Sequence, residues 1–256
     1  MQLNQKIYRK DYAGEDVNVI GLYIDNQWQY QKEFIENPFS NLPFSNQAVV
    51  LGNGISRKDF DLRLFLEHRD VAVWGETSPW RPATCPKKFN TYGCNAIYRN
   101  YRPDFVVAVG EEIIQEIADS GYCDTNPVYA NAWALPLYPG KFNYIPQDPG
   151  YNAGAIAAYL AAFDGHKKVF MLGFDGIDSV GDNYNIYAGT PGYPGNQVII
   201  SENFWVNSLN EIMQLYSDVE FVRVAPTANF RTPEPWKYLS NFRTVDFRQF
   251  VVEADI

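Results

Sequence analysis

Positive charge, histidine, cysteine and long apolar runs are all scarce in this chain, and each shortage removes a class of function. Lysine and arginine number 21 against 30 aspartates and glutamates, a formal net charge of -9. Groove-type DNA or RNA binding rests on clustered cations that release phosphate counterions, so no nucleic-acid partner is expected. Three cysteines, Cys85, Cys94 and Cys123, are an odd number without close pairing. They form neither a disulfide framework nor a zinc knuckle, and they point to a reducing compartment. The N-terminus lacks the apolar core of a signal peptide, and no stretch approaches the roughly 18 apolar residues of a membrane span. A cytoplasmic protein with no membrane span is the expectation. Only two histidines occur, His68 and His166.

What the chain has in quantity is aromatic side chains, 17 Phe, 18 Tyr and 6 Trp, which a disordered chain would be depleted in. With 256 residues and no sharp compositional shift, one domain with an appendage is expected. Residues 1–46 read as a short N-terminal β appendage, with strand-like segments Val17-Asn-Val-Ile-Gly-Leu-Tyr-Ile24 and Gln27-Trp-Gln-Tyr-Gln31 around Asp25-Asn26. Residues 47–256 read as a Rossmann-like α/β domain: a mostly parallel sheet with helices on both faces. Its first strand is Gln47-Ala-Val-Val-Leu51, followed by a Gly-Asn-Gly turn and a helix over residues 56–65. Further strands are Asp70-Val-Ala-Val-Trp74, Phe105-Val-Val-Ala-Val109, Lys168-Val-Phe-Met-Leu172 and Glu220-Phe-Val-Arg-Val224. Helices are expected over 111–120, 152–163 and 204–216. Residues 177–198 are rich in Gly, Asn, Asp, Pro and Tyr and read as a lid loop. The tail from Thr232 has no sustained period.

In sheets of this kind ligands sit beyond the carboxyl ends of the strands, which singles out the loops after Leu51, Trp74, Val109 and Leu172. Gly52, Asn53, Gly54 and Ser56 form a glycine turn whose backbone can approach an anion, with Ser56 able to cap the helix that follows. It is neither a Walker loop nor the longer dinucleotide fingerprint, since the Lys-Ser/Thr and the third glycine are missing. Asp175 and Asp178 stand near the end of a strand, but their spacing is not a metal-binding Asp-x-Asp, and turn capping is the plainer reading. No metal and no cofactor are expected.

Five segments in order resemble one family. They are Val49-Val-Leu-Gly-Asn-Gly-Ile-Ser56, Gly93-Cys-Asn-Ala-Ile-Tyr98, Tyr151-Asn-Ala-Gly-Ala-Ile-Ala157, Val169-Phe-Met-Leu-Gly-Phe-Asp175 and Ala225-Pro-Thr-Ala-Asn-Phe230. Together they resemble the bacterial sialyltransferases of glycosyltransferase family forty-two and the related motility-associated flagellin glycosyltransferases. The resemblance implies a nucleotide-sugar donor of the cytidine-monophosphate type and a glycan or protein acceptor. It implies contacts from Asn53 and Asn95 to phosphate or ribose, and a turn at Asn152, Ala153 and Gly154 that holds the nucleotide. It also implies that Tyr184 and Tyr187 bind the donor phosphate and assist the leaving group. The family's base histidine would fall near Ile200-Ser201, where this chain has none, so Glu202 is the catalytic carboxylate considered first, beside Asp175, Asp178 and Asp182. Two alternatives stand beside the transferase: a nucleotide-binding module without turnover, and a structural or assembly protein. The sequence is compatible with a homo-oligomer.

Overall fold

The computed structural model describes residues 9–10, 16–24, 27–33, 46–67, 89–145, 149–175, 185–193, 202–227 and 230–256. Strands β1 (Arg9–Lys10), β2 (Asp16–Ile24) and β3 (Gln27–Glu33) form an antiparallel three-stranded sheet of their own. The β2–β3 register pairs Ile24 with Gln27.

The remaining strands build one sheet, and every pairing in it is parallel. They are β4 (Gln47–Leu51), β5 (Asn90–Cys94), β6 (Phe105–Ala108), β7 (Val128–Ala130), β8 (Asn143–Tyr144), β9 (Lys168–Leu172), β10 (Glu220–Ala225) and β11 (Phe242–Asp246). Their spatial order is β11-β10-β9-β4-β5-β6-β7-β8. The chain starts in the middle, steps outward from β4 to β8, then returns to the other side of β4 and steps outward again from β9 to β11. The β4–β9 pair is therefore the point where the direction of winding reverses, the feature of a Rossmann-like sheet that opens a crevice at its carboxyl edge.

Helices α1 (Leu64–Glu67), α2 (Glu111–Asp119), α3 (Ala134–Leu137), α4 (Ala153–Phe163), α5 (Glu202–Leu215) and α6 (Phe247–Ala254) cover both faces. The alternation along the strands divides the apolar side chains between them. Ala48, Val50, Val107, Val169 and Met171 pack with α4 and α5. On the other face Val49, Leu51, Phe170 and Leu172 pack with α6, while Val106 and Ala108 pack with α2 and α3. A strand buried on both sides has no polar face, which is why these segments read as unbroken apolar runs. Helix α4 carries so much alanine because it lies flat across β4, β5, β6 and β9, where only small side chains let it approach closely.

Several expectations are corrected here. The helix expected over 56–65 is a 3-10 turn at Ile55–Asp59, followed by the short α1. The tail contains an edge strand and a helix, β11 and α6, joined by an Asp246–Gln249 capping box. Short segments such as β5, β7 and β8 also join the sheet. The strand expected at 70–74 and His68 lie outside the described residues.

Candidate functional site

The glycines of the Gly52-Asn53-Gly54 turn are required by the neighbouring strand. The Gly52 amide donates to Leu172 O (2.7 Å) and the Gly54 amide to Gly173 O (3.0 Å), so the β4–β9 pairing continues past both strand ends. A Cβ on Gly52 would stand 2.5 Å from Gly173 O, and one on Gly54 2.2 Å from Asp175 Oδ1. Gly173 itself has φ +75°, and its own Cβ would meet Gly52 O at 2.7 Å. Two backbones are packed together with no room for any side chain.

Asp175 completes this junction. Its carboxylate accepts the Ser56 amide (2.6 Å) and a short bond from the Ser56 hydroxyl. Ser56 thus ties the turn to β9 and caps no helix; the first residue before the 3-10 turn, Gly54, makes no side-chain cap. Burial pushes the Asp175 carboxyl above the ordinary carboxylate range; the two bonds from Ser56 and the nearby Arg223 and Arg57 oppose that rise. The amides of Gly52, Gly54 and Ser56 are thus taken by Leu172 O, Gly173 O and the Asp175 carboxylate, which turns attention to the side chains.

Asn53 and Asn95 both reach Tyr193, and Asn152 stands at the start of α4. Asn53 is buried, and its Nδ2 donates to Cys94 O (3.0 Å) and, at 3.5 Å, to the Tyr193 hydroxyl. Its Oδ1 has no hydrogen-bond partner among the described residues. Asn95 follows β5 in the left-handed region (φ 48°), a conformation asparagine tolerates better than most residues, and its Oδ1 accepts from Val109 N (2.9 Å). Asn152 caps α4 by accepting from Ala155 N (3.0 Å), leaving its buried Nδ2 without a partner among the described residues. Ala153 opens that helix, and Gly154 faces the Phe174 ring, where an added Cβ would sit in contact at 3.4 Å.

Residues 185–193 lie across this edge. Asn185 pairs with Gly54, and the Ile186 amide donates to Asn53 O (2.9 Å). Tyr187 and Tyr193 are buried with their rings 6.0 Å apart. Burial raises both phenols, and for Tyr187 the Arg57 guanidinium opposes that rise. The segment is fastened outward by Arg99, which donates to Thr190 Oγ1 and Pro191 O (both 2.7 Å) while paired with Glu116. Tyr184, Asp178 and Asp182 lie outside the described residues. Glu202 is the first residue of α5. His166 stands just before β9, at the opposite edge of the sheet, with Nε2 2.9 Å from the Tyr92 hydroxyl. Cys94 is buried at the end of β5, its thiol pushed up to about 12 by desolvation, which makes it inert at neutral pH.

Sequence reading passed over Arg57 and Tyr193. A cation directly after Gly-Asn-Gly-x-Ser was the available signal for the first. The second is one tyrosine in a tyrosine-rich loop, and only the folded loop distinguishes it.

The class defined by this geometry is an α/β protein with a Rossmann-like parallel sheet and a buried carboxamide, Asn53, at the reversal of its winding. Comparison with family models, with curated proteins and with solved structures finds no match for the chain.

Proposed function

We propose that the crevice at the β4–β9 junction binds a nucleotide sugar, with a cytidine-monophosphate-activated sugar of the sialic-acid type as donor and a glycan or protein hydroxyl as acceptor. The observation that carries this reading is the buried Asn53 carboxamide, whose Oδ1 lacks a partner among the described residues at the point where a parallel sheet of this winding takes its ligands. A neutral amide can accept from a ribose or base N–H and donate to phosphate, which suits a nucleotide monophosphate. The start of α4 supports it, since Asn152 Nδ2 is unpartnered among the described residues and Gly154 keeps the first turn bare of side-chain bulk.

Binding and turnover separate chemically. Glycosyl transfer to a hydroxyl needs a general base, and the one described carboxylate at the junction, Asp175, is occupied by Ser56. That occupancy favours a second reading, a nucleotide-binding module with slow or no transfer. Titration of the purified chain with cytidine, adenine and guanine nucleotides tests the first claim; the expected result is a cytidine preference, and equal affinities would sink it. Asn53→Ala should weaken cytidine nucleotide binding by about 1–3 kcal/mol, the cost of leaving a buried partner unsatisfied. Release of cytidine monophosphate from the activated sugar, with and without acceptor, then separates transferase from binding module.

A further inference from the structure

The side chain least explained by the fold is Arg57. It is 5% exposed, among the most buried charged residues described, yet it forms no ion pair among the described residues. Its Nε donates to Gly52 O at 2.7 Å, and its stem passes Gly173, where an added Cβ would lie 3.2 Å from Arg57 Cβ. Its Nη2 has no hydrogen-bond partner among the described residues. Burying a guanidinium without a carboxylate is expensive, and a fold that keeps one there keeps an unneutralised positive charge. Asp175 is close enough for the two charges to influence each other, but its oxygens receive Ser56. Two further groups interact with the guanidinium among the described residues, the Tyr187 phenol, which shares a side-chain hydrogen bond with it, and the Cys94 thiol; burial raises both, so both are neutral at physiological pH.

The placement narrows what would neutralise it. Arg57 sits one residue beyond Ser56, held to Gly52 O and interacting with Tyr187. The same junction thus holds a buried cation with a free N–H face and a buried carboxamide with a free acceptor. The turn's amides at 52, 54 and 56 donate to Leu172 O, Gly173 O and the Asp175 carboxylate, and among the turn's side chains the Arg57 guanidinium is the buried charged donor for an anionic group.

We propose that Arg57 is an anion-binding residue, its Nη2 edge receiving the phosphate group of the bound ligand beside Tyr187. The assignment rests on the nucleotide reading for the identity of the ligand but not for its charge. A guanidinium held by Gly52 O through one nitrogen keeps its other edge in a fixed direction, which suits a phosphate oxygen better than a flexible ammonium would. Positive charge enters the crevice through this one residue of the turn, which explains how a chain of net charge -9 could still hold an anion there.

Calorimetric titration of the full chain and of Arg57→Gln with cytidine monophosphate, cytidine and inorganic pyrophosphate decides the matter. The wild type should prefer the monophosphate to the nucleoside, and Arg57→Gln should lower that preference about tenfold or more while leaving cytidine affinity in place. An unchanged ratio in a folded Arg57→Gln protein overturns the assignment. If the wild type binds neither cytidine compound, the nucleotide reading fails by itself. Pyrophosphate then decides for Arg57: binding that Arg57→Gln abolishes sustains the anion site, and no binding by the wild type overturns it. Should Arg57→Gln fail to fold, Arg57→Lys keeps the buried charge but cannot hold Gly52 O and an anion together, and it should show the same loss of preference. A crystal structure of the wild type soaked with the anion gives a readout without substitution: phosphorus density within hydrogen-bond distance of Arg57 Nη2 supports the site, and density elsewhere overturns it.

Discussion

The two edges of the large sheet handle their polar groups in opposite ways. At the amino edge the charges are paired. Lys167 meets Asp218 at 2.6 Å, and Lys168 meets Glu220 at 3.1 Å. Arg243 bridges Glu220 (2.6 Å) and Glu253 (2.5 Å), and the Asn241 amide donates to three carbonyl oxygens, those of Met213, Tyr216 and Val219. At the carboxyl edge the backbones interlock without side chains, a carboxylate is desolvated, and Asn53, Arg57 and Asn152 each keep an unpartnered polar atom among the described residues. Such atoms also occur elsewhere, at Asn210 and Thr244, but only the carboxyl edge combines them with a buried guanidinium and a desolvated carboxylate among the described residues, and that combination marks where the fold has been bent to another purpose.

The comparison breaks most readily at Gly54. A methyl group there would lie 2.2 Å from Asp175 Oδ1 and 2.5 Å from Gly173 O, and the latter is backbone that cannot rotate away. Gly54→Ala should destabilise the chain by at least the usual overpacking cost of about 1–3 kcal/mol, read as a lower urea midpoint. A midpoint within error of wild type would mean that β4 and β9 are not locked together as described.

A smaller effect, with a direction set by pH, is expected at Asp175. Burial raises its carboxyl in the folded chain, so from the ordinary carboxylate range up to the raised value the native state binds more protons than the unfolded one. Stability from this group is then full below the ordinary range and is lost as pH rises through the raised value. Asp175→Asn removes the proton exchange. The difference in urea midpoint between wild type and variant should therefore move against wild type as pH rises from about 4, the ordinary carboxylate range, through the raised value. A difference that is flat across that interval would show that Ser56 and the two arginines cancel the burial.

These expectations also show what the sequence could and could not disclose. The runs at 48–51 and 168–172, and the Ala-rich helix with its Asn152 cap, were legible because both faces of the sheet are apolar and the cap is local chemistry. The Gly-Asn-Gly turn was visible, but its cause was not, since the contact that demands glycine comes from Gly173, more than a hundred residues away. For the same reason Ser56 read as a helix cap when its partner is Asp175. Strand β5 escaped notice because Asn90 and Gly93 are not strand-like and break up its apolar pattern. The strand is buried there because Asp104 accepts the Thr91 amide and hydroxyl, and because Gly93 leaves room for Ile97 and Pro103. Arg57 looked like an ordinary charge after a turn, and only its burial changes its meaning.

The smallest expected effect belongs to the amino edge and sharpens the contrast from the other side. Arg243 is 38% exposed at its side chain, and its partners Glu220 and Glu253 are 37% and 30% exposed, so water and salt screen the network. Both carboxylates are held below their ordinary range by hydrogen bonds from Arg243, with Lys168 nearby at 3.1 and 3.8 Å. Arg243→Met keeps most of the aliphatic stem and removes the charge. The two carboxylates then share Lys168 alone, and exposed networks of this kind are worth about 0–1 kcal/mol. The loss should shrink further when salt is raised from about 0.1 M to about 1 M, as the screening length falls from about 10 to about 3 Å. The Gly54→Ala loss, which is steric, should not shrink in this way. Urea midpoints of the two variants at both salt concentrations make the comparison direct. An Arg243→Met loss above about 2 kcal/mol that persists in high salt would mean that the amino edge, too, is held by charges out of water's reach, and the division between a satisfied edge and a strained one would fall.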